Sequence, residues 1–185
     1  MPSLWLVRHA RPLIAPGLCY GQLDVAADAA ETAAAAAELA SALPSGLRLL
    51  SSPLQRCTSL AEALAELRPD LTVRHDSRLA EMAFGRWEGQ AWDTISADAL
   101  AAWTADFAHH APGGGETVSA FMARVCDAFD ALEERPPQLW ITHAGVIRAA
   151  SLIAQGRRQV HSAQDWPEQP IGFGSRTELR WTASP

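Results

Sequence analysis

This 185-residue sequence predicts an α/β fold of three layers, α/β/α, with a mostly parallel central sheet flanked by helices and a small helical lid insertion. Two observations lead there. Apolar runs at residues 4–7, 47–50 and 139–142 are short and bounded by turn or polar residues, as strands buried on both faces are. Longer stretches at helical spacing lie between them with no linker or internal repeat, so the order βαβα implies parallel strands joined by crossover helices.

The elements follow in order. Residues 4–7 form the first strand. Residues 28–43 are mostly alanine with Glu31, Glu38 and Leu39, strong in helix propensity and ended by Pro44-Ser45-Gly46. The second strand, 47–50, leads into Ser52 as helix cap and Pro53 as first helical position, and the helix over 54–68 repeats Leu60, Leu64 and Leu67 before Pro69 stops it. Residues 87–110 carry Trp92, Ile95, Leu100, Trp103 and Phe107 without strand alternation; short helices are expected, forming a lid over about 87–116. Residues 118–132 place Phe121, Val125, Phe129 and Leu132 on one helix face. The third strand spans 139–142, and after Phe173-Gly174-Ser175 the alternation at 177–181 predicts a half-buried terminal strand. One domain, 1–185, accounts for all of it.

Composition narrows the function classes. A net charge of −6 and a pI near 5.4 speak against nucleic acid or an anionic membrane as partner, so any anion site must be local. Three cysteines with no CxxC pair suit reduced thiols, and no leader-like or membrane-spanning run stands in the chain; a cytoplasmic protein is expected.

Arg8 and His9 fall at the C-terminal end of the first strand, where open α/β sheets bind ligands. Taken alone, such a pair is also what a solvated strand end looks like. A second strand ends in His143 and passes through Ala144-Gly145 into a helix, whose N-terminal amides favour an anion. Arg56 lies near the start of another helix, where its charge opposes the helix dipole unless an anion is near. Glu81 and Glu88, in RLAEMAFGRWEG, are carboxylates suited to general acid chemistry beside such a pocket.

The segments LVRHA, SSPLQRC, RLAEMAFGRWEG, PGGGET and THAGVIR, in this order and at these separations, resemble the histidine phosphatase superfamily, the phosphoglycerate-mutase-like fold, from residue 4 to about 148. Within it, CYGQLDV and the short length most resemble α-ribazole phosphatases of cobalamin synthesis. The resemblance implies a phosphomonoesterase acting on a small phosphorylated metabolite, with His9 as nucleophile, Arg8, Arg56 and His143 around the phosphate, and Glu81 as proton donor and then base. Ala144 would add a backbone donor and Gln22 would reach the substrate. No metal or other cofactor is implied. Mutases of the superfamily are generally longer, so hydrolysis is favoured over phosphoglycerate isomerisation. A broad-specificity phosphatase and an inactive phospho-ligand or protein-binding scaffold are the other readings; the presence of Arg8, His9, Arg56, Glu81 and His143 argues against the scaffold.

Several residues carry two readings. Ala10 replaces the family's usual glycine and fits if its φ is negative. Arg11 either joins the pocket or points outward. Glu116 caps the helix after PGGGET or does more. Trp87, Trp92 and Trp103 form an aromatic wall for a flat base, or pack the core. Cys57 is expected to be a small buried residue, and His75, His109, His110 and His161 surface residues.

Overall fold

Strand β1 (Ser3–Arg8) turns Leu4 and Leu6 to one face and Trp5 and Val7 to the other, because side chains alternate along an extended chain. Both faces are apolar. Leu4, Leu6 and Trp140 pack with Phe121, Val125, Val146 and Ile147, whereas Val7, Leu139 and Ile141 pack with Leu39, Leu60 and Leu64. A sheet greasy on both sides needs helices on both sides, and the three-layer architecture follows.

The computed structural model describes residues 3–133 and 136–181; the ends of the 1–185 span lie outside the described residues. After β1 come α1 (Ala29–Ala42), β2 (Arg48–Ser51), α2 (Gln55–Leu67), β3 (Arg74–His75), α3 (Ala97–Ala105), α4 (Val118–Asp130), β4 (Gln138–Thr142), α5 (Ala144–Ala154) and β5 (Arg176–Arg180). The five strands are ordered β3-β2-β4-β1-β5. All neighbours run parallel except β5, which is antiparallel to β1. Helices α1 and α2 share the cluster around Leu39 and Leu60, and α4 and α5 the cluster around Phe121 and Ile147.

Two expectations need correction. Strand β3 has no counterpart in the expected elements: two exposed residues at a sheet edge bury no apolar side chain and leave no pattern to read. The helix after β2 does not begin at Pro53 under a Ser52 cap. It starts at Gln55, and its first amide donates to Asp24 Oδ1 at 2.7 Å, a cap supplied by a distant loop. In α1 and α4 the caps are local: Asp28 Oδ1 accepts the Glu31 amide of α1 at 2.8 Å, and Thr117 Oγ1 the Ala120 amide of α4 at 3.1 Å.

Between β3 and α4 the chain makes short 3-10 turns at Ser77–Leu79, Gly85–Trp87, Trp92–Thr94 and Pro112–Gly114; the turn at Trp92–Thr94 and helix α3 are the short helices expected within 87–110. Among the described residues, no helix is long and apolar enough to cross a membrane.

Candidate active site

The register of the sheet builds the site. Arg8 pairs with Thr142, so the next residues, His9 and His143, leave adjacent parallel strands side by side. The His9 amide donates to Thr142 O at 3.1 Å, and the two ring centroids stand 5.1 Å apart, close to the spacing of neighbouring strands. On the far side of β4, the Ser52 amide donates to Ile141 O at 2.9 Å, which brings the end of β2 and then Arg56 to the same sheet edge.

His9 is buried, and its Nδ1 lies 2.7 Å from the Ala10 carbonyl oxygen. A carbonyl only accepts, so Nδ1 carries the proton and Nε2 keeps its lone pair. Burial drives the pKa down to about 3; the Ala10 carbonyl opposes that shift, and Arg56 and Arg8 reinforce it. The ring is neutral at ordinary pH. His143 is held neutral in the same way, first by burial and then by Arg56 and His9. Its Nε2 lies 2.8 Å from Ser52 Oγ and 3.5 Å from Cys57 Sγ. Cys57 is buried, and burial pushes its thiol up, so it serves as packing against His143 rather than as a nucleophile.

Arg56 is fully buried. Its Nη2 donates to Gly21 O at 2.6 Å and its Nη1 to Leu23 O at 2.9 Å, which ties α2 to the loop after β1. Arg8 donates to Ile171 O, and its guanidinium lies 3.9 Å over the Phe173 ring. The Nε atoms of both arginines are buried without a hydrogen-bond partner. Burial lowers both guanidinium pKa values, opposed by Tyr20 and Glu81 at Arg8 and by Cys57 and Glu81 at Arg56. Two positive groups with donors left over, beside two neutral imidazoles, make a receptor for a compact oxyanion.

Of the two candidate carboxylates, only Glu81 faces this receptor. Its Oε1 accepts the Met82 amide at 3.0 Å and its Oε2 the Gly145 amide at 3.1 Å, at the N-terminus of α5. A Cβ on Gly145 would sit 2.2 Å from Glu81 Oε1, so glycine is what allows the approach. Glu88 instead binds the amides of Gln22 at 3.0 Å and Phe84 at 2.8 Å, and that of Leu23. Arg124 holds the backbone beneath Glu81 through the carbonyls of Arg78 and Ala80, both at 2.7 Å, and of Glu81 at 3.0 Å. Glu116 pairs with Arg124 at 2.7 Å, which gives that carboxylate a structural task.

A cavity of about 610 Å³ opens above these groups. Arg8, His9, Arg56, Glu81, His143 and Ala144 all line it. Gln22 is not among the lining residues; its side-chain amide donates to Glu81 O at 3.1 Å, so it steadies the carboxylate from behind. Away from the cations the wall is aromatic, with Phe84, Trp92, Trp103, Phe107, Phe121 and Trp166.

The model of the histidine phosphatase superfamily, branch 1, matches residues 4–182. This chain belongs to that superfamily. Its relatives include glucosyl-3-phosphoglycerate phosphatase of Mycobacterium tuberculosis, 34% identical over 146 residues, which are 71% of this chain and 65% of the relative. The match thus spans just under two thirds of that curated relative. A solved mycobacterial glucosyl-3-phosphoglycerate phosphatase superposes with a TM-score of 0.77 at 29% identity, covering 96% of this chain and 89% of the other. A phosphoglycerate mutase structure from Thermus thermophilus gives 0.73 at 33% identity, covering 97% and 93%.

The remaining open readings of this superfamily member resolve on geometry. No described non-glycine residue has a positive φ, so Ala10 stands where glycine is usual without strain. Arg11 points outward, 62% exposed, to Glu31 at 2.8 Å. Trp87 packs in a small core with Cys19 and Ile95, whereas Trp92 and Trp103 face the cavity. His75, His109 and His161 are exposed and His110 is half-buried. Sequence reasoning does not single out Ser52, Tyr20, Arg148, Trp166 or Phe173 as site residues, although Arg148 closes the THAGVIR segment one helical turn after Ala144.

Proposed function

We propose that this protein is a phosphomonoesterase that works through a phosphohistidine on His9. The observation that carries the reading is a buried, neutral His9 with its Nδ1 proton on the Ala10 carbonyl, lining one cavity with His143, Arg8 and Arg56. Nε2 attacks phosphorus as the ester P–O bond breaks, and Arg8, Arg56, His143 and the Ala144 amide bind the oxygens as charge redistributes. Glu81 gives its proton to the departing alkoxide, then takes one from the water that cleaves phosphohistidine. Inorganic phosphate leaves and both groups return to their starting states. The aromatic segment 87–116 serves as a lid over the leaving group.

The substrate we favour is α-ribazole 5'-phosphate, a small metabolite whose benzimidazole suits the aromatic wall, met in a cytoplasm that keeps the buried, unpaired Cys19, Cys57 and Cys126 reduced. A second reading, glucosyl-3-phosphoglycerate, draws on the named relatives and on Arg148, a further guanidinium in the cavity that suits an anionic leaving group. The test is phosphate release from α-ribazole phosphate, glucosyl-3-phosphoglycerate, 3-phosphoglycerate and p-nitrophenyl phosphate. A preference of about 100-fold or more in kcat/KM for the first supports our choice, and similar values for all indicate a broad phosphatase. Isomerisation of 3-phosphoglycerate without phosphate release marks a mutase, and phosphate binding without any turnover marks a scaffold.

The acid role of Glu81 has its own signature. Glu81→Gln is expected to lower kcat on an alkyl phosphate by about 10²–10⁴-fold while sparing formation of the phosphoenzyme from p-nitrophenyl phosphate, whose leaving group needs no proton. Equal impairment on both esters would remove Glu81 from that role. Gly145→Ala, which drives a methyl into the Glu81 carboxylate, should mimic this selectivity at about tenfold or more, with little change in melting temperature because the flexible carboxylate can swing aside.

A further inference from the structure

The segment that leads into β5 is tied to the end of β1 by its backbone. The Gly174 amide donates to Arg8 O and His9 O, both at 3.1 Å, and the Arg8 amide donates to Ser175 O at 3.1 Å. Gly174 makes this turn at a φ of +68°, a conformation that favours glycine. The ring of Phe173 is thereby set against two site residues at once. It lies 3.9 Å from the central carbon of the Arg8 guanidinium and 5.7 Å, centroid to centroid, from the His9 imidazole. Phe173 is not among the residues that line the cavity, whereas Arg8 and His9 are.

An aromatic face attracts a cation through the negative charge at its centre, and the attraction strengthens as the cation loses water. Arg8 is half-buried and in close contact with the ring; Arg11, 62% exposed, approaches the same ring only to 5.5 Å. The Phe173 face therefore acts mainly on Arg8. It does so without taking an N–H, so the ring can hold the guanidinium in place while leaving its donors for an oxyanion. The Ile171 carbonyl, two residues before Phe173, accepts one of those donors and fixes the group from a second direction.

We infer that Phe173 is a positioning residue: its ring, set by the Gly174 turn, holds the Arg8 guanidinium toward the cavity and so governs how tightly phosphate binds beside His9. This rests on the phosphomonoesterase reading for the identity of the oxyanion as phosphate.

Graded fluorination of the ring separates this role from packing. Phenylalanine, 4-fluoro-, 3,5-difluoro- and 3,4,5-trifluorophenylalanine at position 173 have nearly the same shape, while the negative charge on the ring face falls stepwise. Calorimetry with inorganic phosphate should show the dissociation constant rising at each step, by about fivefold or more at three fluorines, with the melting temperature unchanged. Phe173→Leu, which removes the aromatic face, should weaken phosphate binding by about tenfold. Affinity that ignores the fluorine count, or a wild-type protein that binds no phosphate, would overturn the inference. If Phe173→Leu does not fold, the fluorinated series decides by itself. Because binding is read without turnover, a protein that binds phosphate but cleaves no ester would end the phosphatase reading while the series still judged Phe173.

Discussion

Replacing His9 with alanine is expected to cut turnover of every phosphate ester by at least about 10⁴-fold and to abolish acid-labile phosphate labelling of the chain. The size follows from the role: with the attacking nitrogen gone, the pocket can still bind and polarise the ester, but no covalent intermediate forms. Labelling by a phosphate ester, quenched in base and then exposed to acid, reads this directly; a His9→Ala protein that still labels would place the nucleophile elsewhere. The fold should survive, because the ring contributes no strand pairing. Acid stability should change in a defined direction. In the wild type the unfolded chain takes up a proton near pH 6.5, whereas the folded ring resists down to about 3. Its folded-state pKa is depressed, so the contribution of His9 is complete above about pH 6.5 and is lost as the pH falls from there toward 3. That contribution is on the order of a few kcal/mol. His9→Ala should therefore show a shallower loss of stability between those limits in denaturant titrations at stepped pH.

Arg56→Lys is the second large effect. Arg56 uses Nη1 and Nη2 on Leu23 O and Gly21 O while its guanidinium lines the cavity, several directions fixed by one planar group. A lysine ammonium reaches at most part of that set, and it leaves buried carbonyls unpaired. We expect kcat/KM to fall by about 10²–10³-fold and stability by about 2–4 kcal/mol. Chemical denaturation alongside kinetics checks both. Arg11→Ala is the contrast, since that side chain pairs with Glu31 in solvent, and neither turnover nor melting should move. Equal effects of the two substitutions would mean that the cavity is not where the chemistry occurs.

The parts of the molecule that are legible in sequence are those with local causes. Strands β1, β2 and β4 each announce themselves by a short apolar run, because both faces of the sheet are covered. Helices α1 and α4 end within about two residues of where their caps and periodicity put them. Arg8, His9, Arg56, Glu81, His143 and Ala144 can all be picked out without the fold, and the cavity gathers all six. Strand β3 leaves no trace because it buries nothing, and local signals start α2 too early because its cap, Asp24, is 31 residues away in the chain.

Residue type and local periodicity were enough to establish the layers, the strand ends and the pool of cationic and acidic side chains, since each depends on a few neighbours in the chain. Which members of the pool act together depended on folding. Glu81 rather than Glu88 faces the cavity with His9, His143 and the two arginines because Gly145, 64 residues away, leaves room for its carboxylate. Arg11 turns out to solvent because Glu31 stands at the start of α1, and Gln22 supports Glu81 from behind because the loop after β1 is clamped by Arg56 and Glu88. These are contacts between distant segments, and a linear pattern holds no record of the distances that folding makes short.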